Sequence, residues 1–336
     1  MAKKDDKFVV FHVQGGLGKH IAATAVCKAI KNNYPDRKLI LVCVYTDVFK
    51  NIPYIDRVYP LGNTQYFYQT YIEDKDSLIF ANEPYYTTDH IHKKLPLVQT
   101  WCKMYGLEYN GETPDLRFNG LQKKVSKEVW KTQHGNKPVM ILHTNGGLIT
   151  PDAKPFMWAR DMPFDVAQQI FDRYRKDFTI YQCTKVNSPK IEGANIVEFG
   201  FNQGDMQLSL IEFLSVLIHS DVRILIDSCM QHAAAALNLP SMVLWNGTSP
   251  KVFGYDIHTN LETIKPNDFK LPNSYLFDFD FNGDEFEYPY DSTEDLYDID
   301  KIFEYIDSQY ERTTKNSSMP ITRHNTQKKG FSVKGL

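Results

Sequence analysis

Residues 217–254 read LIHSDVRILIDSCMQHAAAALNLPSMVLWNGTSPKVFG, and this stretch decides the fold class. The apolar run Arg223 to Ile226 has the composition of a buried strand and ends at Asp227-Ser228, residue types that cap a following helix. The Ala-rich run Ala233 to Leu237 supplies that helix and Pro240 stops it. Met242 to Trp245 is then a second strand, closed by the turn Asn246-Gly247-Thr248-Ser249-Pro250. Strand, turn, helix and strand make a βαβ unit, which sets the two strands parallel and buried on both faces. Ser228 and His232 stand four apart, on one side of the helix near its start, where backbone N–H groups lack partners. Hydroxyl, imidazole and N–H groups together suit a phosphate or diphosphate; a Ser/Asp cap with an incidental histidine fits the same residues.

The same alternation continues outward. Phe8 to Val13, Leu39 to Tyr45, Leu78 to Ala81, Val139 to His143, Phe178 to Cys183 and Ile196 to Phe199 read as further buried strands. Helical spacing falls at Ile21, Ala25 and Ala29 before Tyr34-Pro35, then at Phe164 to Tyr174 and Leu208 to Ile218. A polar junction ending in Gly135-Asn136-Lys137-Pro138 separates two α/β domains, 1–130 and 136–300. A helix over 301–312 is expected to cross between them, and the polar tail 313–336 to be disordered.

In open parallel sheets, ligands sit beyond the carboxyl ends of the strands. Four turns stand there: the two after Ile226 and Trp245, His143-Thr144-Asn145-Gly146-Gly147, and Gly15-Gly16-Leu17-Gly18-Lys19-His20. In the last, Gly16, Gly18 and Lys19 bring a pliant backbone and a cation to a helix start, a place for an anion. The pattern departs from the dinucleotide fingerprint and from the phosphate loop, and a tight turn without ligand also fits it.

The 38 basic and 41 acidic residues leave a net charge of −3, so the whole chain is not a nucleic-acid glove. Five scattered cysteines without a C-x-x-C pair argue against a disulfide framework or a thiolate zinc site and for a reducing compartment. No run of 18 apolar residues occurs, so no stable membrane insertion is expected, and a cytoplasmic location is. Asp278 and Asp280 lie in an acidic, aromatic stretch read as a solvated surface segment. The rings Tyr66, Phe67, Tyr68, Tyr71, Tyr85 and Tyr86 on N-terminal loops suit stacking on a sugar or a base, or plain packing.

Asp227, Ser228, His232, Ala234 to Leu237, Pro240, Gly247, Thr248 and Pro250 resemble the donor-site pattern of the ADP-heptose (heptosyltransferase-type) glycosyltransferases. Gly18-x-x-Ile-Ala-Ala-Thr-Ala, Tyr34-Pro35 and Asn51-Ile-Pro-Tyr-Ile-Asp56 resemble that family's opening segment. The resemblance implies two Rossmann-like domains facing a cleft (GT-B type). The implied activity is inverting, metal-independent sugar transfer from a nucleoside diphosphate sugar to an acceptor hydroxyl, with no cofactor. The donor residues it implies are Arg160, Asp227, Ser228, His232, Thr144, Gly247 and Thr248, with Gly16, Gly18 and Lys19 on an acceptor or other anion.

One departure bears on mechanism. The family carries its catalytic Asp directly after the glycine, where this chain has Lys19. A base is then expected from His20, or from Glu83 or Asp89 on later loops. An inactive binding or structural protein of the same shape, or a sugar epimerase, are the rival readings. The acceptor, whether glycan, protein or modified nucleic acid, is not legible.

Overall fold

The computed structural model describes residues 6–62, 64–131, 137–146, 160–185, 188–199, 210–264 and 296–318. Asp278, Asp280, Gly147 and the tail beyond 318 lie outside the described residues.

The first half holds the strands β1 (Lys7–Val13), β2 (Lys38–Cys43), β3 (Arg57–Pro60) and β4 (Asp76–Phe80), all parallel, in the order β3-β2-β1-β4. Helix α1 (Leu17–Asn33) follows β1 directly. From Leu17 to Ile30 only Gly18 and Lys28 escape full burial, so this helix is apolar nearly all round and must be covered on both sides. The short helices α2 (Phe67–Tyr71) and α3 (Thr88–Ile91), then α4 (Leu97–Met104), complete this half. Trp101 of α4, fully buried, meets Phe11 of β1 edge to face at 5.4 Å.

The second half holds β5 (Val139–His143), β6 (Thr179–Lys185), β7 (Asn195–Phe199), β8 (Val222–Ile226), β9 (Met242–Trp245) and β10 (Thr259–Glu262). They are again all parallel, and from β7 the order is β7-β6-β5-β8-β9-β10. Both sheets wind outward from an inner strand, so each reverses direction at one point, between β1 and β4 and between β5 and β8. A crevice opens at the carboxyl ends of such a pair. The mixed α/β class with two parallel sheets was readable from the strand runs. The edge strands β3 and β10 were not, because both are short and half exposed and lack a continuous apolar run.

Two connections depart from expectation. Helix α5 (Gly120–Lys131), assigned by sequence to the first half, is anchored in both. Asn51 donates to Gln122 Oε1 at 3.1 Å, while Trp130 Nε1 donates to Ser215 Oγ at 3.0 Å and Ser126 Oγ lies 2.7 Å from His219 Nε2. Ser215 and His219 end α7 (Leu210–Ser215) and the 3-10 turn after it.

The C-terminal helix, expected to bridge the domains, packs on the second sheet's own core. It runs over Ile299–Ser318, past the expected end at 312, and is preceded by α6 (Phe164–Tyr174), α8 (Cys229–Ala236) and α9 (Pro250–Phe253), making it α10. Its fully buried Ile302 and Ile306 join the cluster of Met140, Leu142 and Ile170, and the Tyr174 hydroxyl on α6 donates to Asp307 at 2.8 Å. Phe303 of this helix also meets the Tyr174 ring of α6 at 5.9 Å. Among the described residues, no helix is long and apolar enough to cross a membrane.

Candidate functional site

The two crevices face one another. Between them lies a cleft of about 500 Å³, walled by Gln14 to Lys19, Tyr45, Glu83, Tyr85, Tyr86 and Leu97 from the first half. Arg160, Asp227, Ser228, Cys229, His232 and Phe253 form the second wall. Helices α1 and α8 meet at its floor with their N-termini adjacent: a Cβ on Gly18 would lie 2.7 Å from His232 Cδ2 and 3.4 Å from Cys229 Cα. Only glycine permits that approach, which places two sets of free backbone N–H groups beside one cavity.

On the second wall, Asp227 ends β8 and is buried. Burial pushes its carboxyl above the usual range, opposed by the charge of Arg160 and by the Thr248 hydroxyl. Ser228 is the N-cap of α8, and its side chain makes no capping bond to the helix. Gly146 lies so near that a Cβ there would stand 2.9 Å from Ser228 Oγ. His232 is held by Tyr255, whose hydroxyl lies 2.8 Å from Nδ1, and burial lowers its pKa to about 3, so the ring is neutral.

The residue after Arg160 is tied into a polar network. Asp161 accepts from Gly146 N and Asn145 Nδ2, each at 3.0 Å, and Lys185 at the end of β6 approaches it at 3.5 Å while donating to Gly146 O at 3.1 Å. Sequence reasoning missed this Asn145-Asp161-Lys185 network. Its signals were an acid beside Arg160 and a cation ending a buried strand.

On the first wall, Lys19 forms an ion pair with Glu83 and stands over the Tyr85 ring at 4.9 Å and the Trp101 ring at 5.4 Å. Lys19 is buried, and burial lowers its pKa to about 7. Its charge is thus answered within its own wall, and no free cation is offered at the position read as an anion site. Gly16, the N-cap of α1, faces open space.

Several expected site residues sit elsewhere. His20 is no base: Nδ1 is 2.9 Å from Gly16 O, Nε2 accepts from Val44 N at 3.2 Å, and burial lowers its pKa to about 4. It pins the α1 turn to the end of β2. Asp89 stands outside the cleft walls, with Oδ2 2.6 Å from Lys103 Nζ. Thr144 is turned into the sheet, accepting from Gln182 and lying 2.8 Å from Asn145 Oδ1. Thr248 stands beside Asp227, and neither it nor Gly247 lines the cavity. Of the aromatic residues, Tyr85 and Tyr86 line the cleft, whereas Phe67 and Tyr71 pack with Tyr59 on the outer face of the first sheet.

No described protein family matches the chain in sequence, and no curated protein does. Solved structures match its shape. A family 9 glycosyltransferase from Veillonella parvula is 12% identical, with a TM-score of 0.64 over 92% of this chain and 98% of its own. The E. coli ADP-heptose lipopolysaccharide heptosyltransferase II is 11% identical, with a TM-score of 0.60 over 91% and 99%. TibC of enterotoxigenic E. coli, an iron-containing dodecameric heptosyltransferase in complex with an ADP-heptose, is 12% identical, with a TM-score of 0.56 over 94% and 78%. Among the described residues of this chain, no three His, Cys, Asp or Glu side chains gather as a metal ion would need. Two parallel sheets of this winding, facing one cleft and superposing end to end on those proteins, give this chain the GT-B fold of the heptosyltransferases.

Proposed function

We propose that this chain is a glycosyltransferase that takes a sugar from a nucleoside diphosphate sugar and passes it, with inversion, to an acceptor hydroxyl. The single observation that carries this reading is the second wall of the cleft. Arg160, Ser228 and the start of α8 converge there beside the start of α1, a set of donors suited to the diphosphate that departs in such a transfer. Arg160 offers a planar fork to two phosphate oxygens, and the helix N–H groups add fixed dipoles that need no reorganisation as charge builds on the leaving group. His232, neutral and held by Tyr255, orients the floor rather than supplying charge.

These groups account for the leaving-group charge without a metal ion, so the transfer is read as metal-independent, with the nucleotide sugar as co-substrate and no cofactor. Five unpaired cysteines fit a reducing compartment, and a cytoplasmic place follows from them. ADP-sugars are the first donors to test, since the shape match includes proteins described as acting on or binding ADP-heptose.

Calorimetric titration with ADP, UDP, GDP and dTDP, with and without chelator, tests the reading. Binding of at least one nucleoside diphosphate, unchanged by chelator, is expected. Absence of binding to all four refutes the donor site, and a tenfold loss with chelator, about 1.4 kcal/mol, refutes metal independence.

A further inference from the structure

We infer that Glu83 is the general base of this cleft and that Lys19 is its positioning partner, so that a pair of side chains does the work the family assigns to one Asp. The inference rests on the proposed transfer reaction and adds the group that receives the acceptor's proton.

An inverting displacement needs a proton acceptor on the side of the sugar away from the departing diphosphate. Among the described residues only two carboxylates line the cleft, Glu83 and Asp227. Asp227 stands on the second wall, buried beside Arg160, where the leaving group is held. Glu83 stands on the facing wall, in the loop after β4, with its side chain 25% exposed to the cavity. Both ring nitrogens of His20 are engaged by backbone, and His232 is tied to Tyr255 on the cleft floor.

Lys19 explains how a loop glutamate is held in place. One carboxylate oxygen of Glu83, Oε2, takes the Lys19 ammonium, which leaves Oε1 for a substrate hydroxyl. The ammonium is itself fixed between the Tyr85 and Trp101 rings, an arrangement that favours a cation and restricts the lysine to one direction.

The step balances as follows. The acceptor oxygen forms its bond to the anomeric carbon while the bond from that carbon to the phosphate oxygen breaks, its electron pair leaving with the diphosphate. The hydroxyl proton passes to Glu83 Oε1 and then to solvent as products depart.

The test uses water as the acceptor, so that no acceptor need be known. Release of nucleoside diphosphate is followed for whichever sugar in a panel of ADP-, UDP-, GDP- and dTDP-sugars the parent protein hydrolyses fastest. Glu83→Gln, which keeps shape and fold, should lower kcat at least a hundredfold with nucleotide affinity within threefold of the parent. Glu83→Asp should recover part of that loss. Lys19→Arg, which keeps the cation, should retain more turnover than Lys19→Met.

Turnover by Glu83→Gln within threefold of the parent overturns the inference. So does a loss in Lys19→Arg as deep as in Lys19→Met with Glu83→Gln active, which makes the amine itself the base. A parent that binds nucleoside diphosphate yet releases none also overturns it and leaves the donor site standing as a binding site. A parent that binds no nucleotide at all fails the proposed function first.

Discussion

Gly18 and His232 touch across the domain boundary: a methyl group on Gly18 would stand 2.7 Å from the Cδ2 of an imidazole that is itself held by Tyr255. The contact fixes how closely α1 and α8 approach, and so the spacing of the two sets of N–H groups beneath the cleft. Gly18→Ala is therefore expected to destabilise the protein by about 1–3 kcal/mol, the usual cost of overpacking, despite the gain of about 0.5–1 kcal/mol that alanine brings to a helix interior. Gly16→Ala, where a Cβ meets nothing within 4 Å, serves as control and should cost far less. Urea denaturation of the two variants checks this; equal midpoints would mean that the helix contact yields easily.

Arg160→Ala should weaken nucleoside diphosphate binding by ten- to a hundredfold, since a charge-assisted hydrogen bond is worth roughly 1.5–3 kcal/mol. Asp161→Asn should weaken it less, because it loosens the support of Arg160 without removing the cation. Calorimetry on both variants decides the order, and an Asp161 effect larger than that of Arg160 would transfer the phosphate role to the network beneath.

Acid should unfold this protein early. Burial lowers the pKa of His143 and His232 to about 3 and of His20, His90 and His258 to about 4, from an ordinary value of 6.5. The native state then binds fewer protons than the unfolded chain, so the stability these rings allow is present above pH 6.5 and is lost as pH falls from there toward 4. Each ring removes up to about 1.4 kcal/mol per pH unit in that window. Asp227, whose pKa burial raises, has the opposite sign. The urea midpoint should fall steeply between pH 7 and pH 5; a flat profile would mean that these rings are solvated.

Asp89→Asn should leave nucleotide binding and turnover unchanged, because its carboxylate serves Lys103 outside the cleft. Thr144→Val should cost stability, not affinity, through the bond it receives from Gln182. A tenfold effect on turnover from either substitution would enlarge the site beyond the walls described.

The strands and the turn after β8 were legible because buried parallel strands print their burial as unbroken apolar runs. Asp227, Ser228 and His232 are also neighbours in sequence as well as in space. Arg160 was legible through the resemblance alone, and its support was not, since Asn145, Asp161 and Lys185 come from separate elements. His20 misled because an imidazole beside a glycine turn reads alike whether it faces the cavity or the backbone. Only the positions of Gly16 O and Val44 N decide between them. The choice of Glu83 over Asp89 likewise depends on where the loop after β4 turns, which no local pattern encodes.

Helix α5, rooted in the first half by Gln122 and in the second by Trp130, makes a second attachment besides the one between α1 and α8. The His90 and Phe253 rings, 5.7 Å apart, add a further contact, and the apolar cluster around α1 takes residues from both halves. The wall of Glu83 and the wall of Arg160 thus stand on one shared core, and their spacing is set by that packing rather than by any single loop.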